Sequence, residues 1–145
     1  LLAIFLSNRF HPGGRLGKKL LTRVADVMHW ENLPVCEGNA SFREIVQTIT
    51  CGRLGLVIVM KGTALHGIIT DGDIRRAFDL TENPMHLSAT EIMTANPLTI
   101  EMNEKFIVAE DRMHRAKIDS LIVKDHVGTV AGVLKIYDIA SKAKV

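Results

Sequence analysis

The stretch GIITDGDIRR, Gly67 to Arg76, sets one hydroxyl, two carboxylates and two guanidinium groups directly behind an apolar run. Those groups suit a phosphorylated nucleoside. A ribose offers two adjacent hydroxyls, and the Asp73 carboxylate can accept a charge-assisted hydrogen bond from each. The Thr70 hydroxyl and the free N–H groups that open a helix suit a phosphate. Gly72 lets the backbone turn tightly there. Arg75 and Arg76 add positive charge, and because successive helix positions point about 100° apart, one of the two faces a ligand. Val35, Leu56 and Val57 are apolar strand positions that can form a slot for a base. Thr and Asp are also good N-cap residues, about 1 kcal/mol each, so T-D-G-D caps a helix with no ligand present. Asp71 reads as a cap or a solvated loop acid. Both uses of the corner stay open on residue types alone.

The elements that position this corner occur twice. Met28 and Met93 align at an offset of 65, as do Leu56 and Leu121, Gly67 and Gly132, and Asp73 and Asp138. The intervening helix aligns at 64, with Phe42, Ile45 and Ile49 against Phe106, Ala109 and Met113. The slip reads as a change of loop length. In each copy a short extended piece precedes an amphipathic helix; the first carries an S-x-x-E capping box at Ser41 and Glu44 and ends at Gly52. LVIVM (56–60) is a buried strand, KGT a turn, and LHGIIT (65–70) its hairpin partner. SLIVK and TVAGVLK repeat the hairpin, and a helix follows through Tyr137 to Ala143. The fold expected is α/β (α+β): two tandem β-α-β-β-α repeats, too small to be comfortable alone, packed sheet against sheet about a pseudo-twofold axis. The second corner keeps Asp138 but carries Lys135 in place of Thr70, with Leu121 in place of Leu56. It reads as an unoccupied counterpart, its lysine meeting a phosphate or covering the cleft. Tyr137 is expected to pack in the helix.

Composition narrows the alternatives. At 145 residues, 47% hydrophobic and 23% charged, the chain is ordinary globular protein. A net charge of +2 is too small for a nucleic-acid footprint, and Arg15, Lys18, Lys19 and Arg23 read as a solvated helix face. LLAIFL is too short to span a bilayer and has no signal layout. Cys36 and Cys51 show no metal or redox spacing, which suits a reduced, intracellular chain. The six histidines show no metal spacing, DGD lacks the later acids of a calcium loop, and no P-loop or G-x-G-x-x-G is present. No metal is expected.

The tandem repeat with DVM, LVIV and GIITDGDI resembles a pair of cystathionine-β-synthase (CBS) domains over residues 24–143. In that family Thr70 and Asp73 match the G-h-T-x-x-D pattern that holds a nucleotide. FHPGGRLGKKLL (10–21) is similar to the end of the sugar-isomerase (SIS) domain of bacterial D-arabinose 5-phosphate isomerases, whose CBS pairs carry TDGDLRR; here TDGDIRR spans 70–76. This second resemblance implies residues 1–23 as the tail of an SIS domain plus linker, 24–85 as the first CBS domain and 86–145 as the second. It places the family's active-site histidine on His11, with the rest of the isomerase site upstream, so this stretch is expected not to catalyse by itself. It implies a cytoplasmic parent isomerase, tetrameric, feeding Kdo synthesis for lipopolysaccharide or capsule. No cofactor is required; the regulatory ligand expected is an adenine nucleotide, AMP or ATP, or a pathway product such as CMP-Kdo, bound between the halves. The partners implied are a second copy through the CBS pair and the chain's own SIS domain, with no nucleic acid and no membrane. The alternative is a structural dimerisation platform with vestigial clefts.

Overall fold

The structure, a computed structural model, describes Gly17 and residues 20–138. His11, the opening LLAIFL, the residues Arg15, Lys18 and Lys19, and positions 139–143 of the last expected helix lie outside the described residues.

Two compact units form, and they are not the linear halves of the repeat. An inner unit runs Trp30–Leu98; an outer unit joins the described residues up to His29 to those from Thr99 onward. The inner unit contains β1 (Val35–Glu37), α2 (Phe42–Gly52), β2 (Leu56–Lys61), β3 (Ala64–Thr70), α3 (Asp71–Leu80), a 3-10 turn (Pro84–His86), α4 (Ala89–Ile92) and β4 (Thr94–Ala95). The outer unit contains α1 (Val24–Val27), β5 (Thr99–Glu101), α5 (Phe106–Ala116), β6 (Ser120–Lys124) and β7 (Val130–Lys135). The inner sheet is ordered β1-β2-β3-β4 and the outer one β5-β6-β7. In both, the first pair is parallel and the second is an antiparallel hairpin.

The short helix ahead of each repeat docks on the other repeat. The α1 amides of Val24 and Ala25 donate to the carbonyls of Glu104 and Met102, at 2.9 and 2.8 Å. Those of Ala89 and Thr90 in α4 donate in the same way to Ala40 and Gly38, at 3.0 and 2.9 Å. A four-residue helix cannot persist in water by itself; these anchors, and burial of Val24, Val27, Ala89 and Ile92, hold it.

Strand pairing corrects the alignment of the copies. Leu56 pairs with Thr70 and Val57 with Ile69, whereas Ser120 pairs with Lys135 and Leu121 with Leu134. Val57, not Leu56, is therefore the counterpart of Leu121, and Leu56 that of Ser120. The offset of 64 persists through β2 and returns to 65 only at the hairpin turn, which is one residue longer in the outer unit. There Asp125 Oδ1 accepts from the amides of Val127 and Thr129, at 3.0 and 2.9 Å, and shapes the wider turn. A one-residue slip exchanges the two faces of a strand, so the corrected register puts Val57, Val59 and Ile69 in the inner core and Leu121, Val123 and Leu134 in the outer one.

The helix calculus is mostly as expected. Ser41 Oγ accepts from the Glu44 amide at 3.2 Å, and Phe42, Ile45 and Ile49 are the buried stripe of α2. Gly52 is the last helical residue, but the left-handed position is taken by Arg53, with φ 58°. Gly52 is kept small instead by Pro34, which lies 2.7 Å from where its Cβ would be.

The cysteines differ in environment. Cys36 is buried in the inner core; burial, with Glu44 and Glu37 adding, pushes its thiol up to about 11. Cys51 is exposed. Titration with an aromatic disulfide at pH 8 is expected to label one thiol rapidly in the native chain and the other only in denaturant; two fast thiols would contradict this packing. The native state holds the Cys36 proton longer than the unfolded one, so its contribution to stability falls as pH rises from 9.0 towards 11.

Candidate functional site

In the inner unit the β3–α3 corner is built as a reciprocal cap. Thr70 is the N-cap residue of α3; its Oγ1 accepts from the Asp73 amide at 3.3 Å and donates to Asp73 Oδ2 at 3.1 Å. The Thr70 amide donates to the same Oδ2 at 2.9 Å. Asp73 Oδ1 accepts from Arg76 at 2.6 Å and from Thr94 Oγ1 at 3.1 Å. The Asp73 side chain is 5% exposed while Arg76 is 66% exposed. A buried carboxylate is costly unless its lone pairs are filled, and here they are.

Arg76 folds back over the helix entrance. Its guanidinium lies 3.4 Å from the point where a Gly72 Cβ would stand, so glycine leaves room for it. A cation thus sits beside the free amides of the first turn of α3, where the backbone already favours an anion. Arg75 is exposed on the next position. Asp71 Oδ2 stands 3.6 Å from the missing Cβ of Gly55, which has φ 72°. The space beside Gly55 therefore carries no side chain of its own and faces a carboxylate.

The three apolar positions expected to form a slot divide. Val35 is 46% exposed and, with Leu33, Pro34, Cys51 and Gly52, lines a depression of about 360 Å³. Leu56 and Val57 are fully buried, and Val57 belongs to the inner core.

The outer unit repeats the cap with different chemistry. Asp138, 4% exposed, accepts the Lys135 amide on Oδ2 at 2.7 Å and contacts His29 Nε2 through Oδ1 at 2.9 Å. Lys135 Nζ lies 2.8 Å from Ser120 Oγ and 3.4 Å from Asp119 Oδ1. Tyr137 is 58% exposed rather than packed, its ring centroid 5.9 Å from the Lys135 amine. Leu121 is buried in the outer core.

Sequence reasoning missed Thr94 and His29, which hold equivalent oxygens of Asp73 and Asp138. Their signal was present: each directly follows the repeat methionine, Met93 or Met28, at the shared offset of 65. Asp119 was also missed; no repeat partner announces it, because its counterpart is Gly55.

Among the described residues no group of three or more His, Cys, Asp or Glu side chains is arranged to hold a metal ion. Among the same residues no helix is long and apolar enough to cross a membrane.

The CBS domain family matches residues 24–80 and 89–144. Arabinose 5-phosphate isomerase KpsF of Escherichia coli is 40% identical over 131 residues, covering 90% of this chain and 40% of that protein. The chain thus spans about two fifths of that relative's length. Among solved structures, CBSX2 in complex with AMP superposes with a TM-score of 0.71 at 20% identity, covering 84% of this chain and 96% of that one. The CBS domain of a bacterial CNNM/CorC family Mg2+ transporter in complex with ATP gives 0.73 at 18% identity, covering 90% and 92%. At those identities the superpositions speak for the fold.

Proposed function

The chain belongs to the CBS domain family, and on that premise we propose that it is the nucleotide-sensing module of an arabinose 5-phosphate isomerase. It takes a ribonucleotide at the Thr70–Asp73 corner and modulates an attached SIS domain, in a cytoplasmic enzyme that assembles through paired CBS modules. The observation that carries this reading is the Arg76–Asp73 ion pair, half buried and half exposed, at the mouth of a helix.

The pair supports an exchange on binding. A ligand phosphate reaching the α3 entrance competes for the exposed Arg76 guanidinium, a planar donor suited to phosphate. Asp73 Oδ1 then loses its charged partner and is free to accept from a ribose hydroxyl, while Oδ2 stays in the cap. Ordering changes little, because Thr70 and Thr94 hold the carboxylate throughout. Gly55 and Gly72 add no side chain of their own to the two approaches; the Asp71 carboxylate and the Arg76 guanidinium stand beside them, 3.6 and 3.4 Å from the missing Cβ atoms. The adenine nucleotides in the two solved complexes make AMP and ATP the first ligands to try. Similarity to the isomerase adds CMP and CMP-Kdo.

A second reading has its own support: every oxygen of Asp73 and Asp138 already has a protein partner, which suits a dimerisation platform with vestigial corners. Calorimetric titration of the chain with AMP, ATP, CMP and CMP-Kdo separates the two. Saturable binding of at least one of them is the expected result. Silence from all four, with a dimer intact on sizing, selects the platform instead.

A further inference from the structure

We infer that Lys135 is a built-in plug, so that the chain takes a single nucleotide at the Thr70 corner and none at the Asp138 corner. The inference rests on the nucleotide reading above and adds where, and how many.

The two corners share one backbone plan and differ in the side chains set on it. In the inner unit Thr70 lies opposite Leu56, and its short side chain is consumed by the cap. In the outer unit Lys135 lies opposite Ser120 and beside Asp119, and its amide alone serves the cap. The Lys135 amine reaches Ser120 and Asp119, the residues that stand where the inner unit has Leu56 and Gly55; the inner unit offers no side chain at Gly55, whose missing Cβ stands 3.6 Å from Asp71 Oδ2. That amine is not a loose surface charge: the Lys135 side chain is only 7% exposed, and its Nζ meets Ser120 Oγ at 2.8 Å and Asp119 Oδ1 at 3.4 Å.

Polar partners hold the plug in place. A buried ammonium needs partners, and here they are the Ser120 hydroxyl and an Asp119 carboxylate that is itself 71% exposed, so that solvent screens the ion pair and leaves it a modest one. The Ser120 hydroxyl, with the Lys135 charge adding, holds the Asp119 carboxyl below the usual carboxylate range. Asp138 also differs from Asp73 in its second partner. Oδ1 of Asp73 is held by an exposed Arg76 that a phosphate can draw away; Oδ1 of Asp138 is held by His29, from the segment that docks through the His29–Val133 bridge. Freeing Asp138 for a ribose means turning aside the His29 ring, which is 38% exposed.

The test counts sites. Calorimetry with ATP and with AMP should find one nucleotide per wild-type chain and two per Lys135→Thr chain, circular dichroism confirming that both are folded. Two sites in the wild type, or one in both proteins, overturns the plug. No binding to the wild type but one site in Lys135→Thr keeps the plug and sinks the Thr70 reading; silence from both sinks both. Amine acetylation of the wild type, read by mass spectrometry, decides the matter if the variant fails to fold. Lys135 should be modified far more slowly than the exposed Lys61 and Lys105, whether or not ATP is present. Rapid acetylation of Lys135, or protection that appears only with ATP, refutes it.

Discussion

Gly132→Val is expected to unfold the outer unit, or to leave it so unstable that the chain melts well below the wild type. A Cβ at Gly132 would lie 2.5 Å from the backbone oxygen of His29 and 2.9 Å from Met28 Sδ. The methionine tip can swing aside; the carbonyl cannot. It accepts from the Val133 amide at 2.9 Å while the His29 amide donates to the Val133 carbonyl at 2.8 Å, so moving it breaks both bonds. Overpacking of this kind costs about 1–3 kcal/mol, and each lost backbone bond adds about 0.5–1.5 kcal/mol. A loss of about 3–5 kcal/mol is a large part of the stability of a small domain. The consequence is specific: α1 and His29 come away from the second repeat, and Asp138 loses its histidine. Gly67 faces the same collision with Met93 Sδ at 2.6 Å and the Thr94 carbonyl at 2.7 Å. Urea unfolding followed by circular dichroism provides the measurement. The exposed change Thr129→Val in the same hairpin is the control, expected to stay within about 0.5 kcal/mol of wild type. A Gly132→Val midpoint as close to wild type as the control's would mean that the collision is relieved at no cost.

The same glycine shows what the sequence carried and what it did not. Gly67 and Gly132 were legible as a repeated pair, and so were Thr70 and Asp73 as a cap, because capping and close approach demand particular residue types at fixed places. The order of strands and helices was legible because apolar runs and capping residues mark it locally. The partner of each short helix was not. VADV and ATEI bury the same positions by the same bonds, and nothing in either stretch says which copy of the repeat receives it. That choice depends on chain reach and packing, which no local pattern encodes.

Register failed for a related reason. Leu56 and Leu121 are alike in type, so a letter-by-letter comparison matches them, yet they stand on opposite faces of corresponding strands. A consistent inside-outside alternation, with Val57 matching Leu121 and Val59 matching Val123, was the better guide, since burial follows the face and not the letter. Arg53 in a left-handed conformation was likewise illegible: glycine is the usual occupant, and the α2 sequence places its glycine one position early. At the site, the nature of the corner was readable from TDGD, but the plug was not. Lys135 alone suggested either a phosphate contact or a cover; the inferred cover rests on Asp119 and Ser120, which the fold brings to its amine.

Asp73→Ala should weaken nucleotide binding and also destabilise the inner unit, and its comparison with Asp138→Ala separates these effects. Removing the Asp73 carboxylate strips an acceptor from the Thr70 amide, the Thr70 and Thr94 hydroxyls and Arg76. Loss of a cap costs about 0.5–2 kcal/mol, and stranding part-buried donors adds about 1–3 kcal/mol, so a deficit of about 2–4 kcal/mol is expected. A hydrogen bond to a charged group is worth about 1.5–3 kcal/mol; forfeiting the one from a ribose weakens affinity by about 10- to 150-fold. Asp138→Ala removes an equally buried carboxylate from the outer cap, along with the acceptor for the Lys135 amide and the partner of His29. It should cost similar stability. With the outer corner plugged, its effect on ATP affinity should be under about threefold, well below 1 kcal/mol. Denaturation curves and titrations on the two variants, run at a temperature where both remain folded, give four numbers. Equal stability losses with unequal affinity losses place the ligand on Asp73. Equal affinity losses would show that the carboxylates matter only through folding, and wild-type affinity in Asp73→Ala would remove the ribose from this corner altogether.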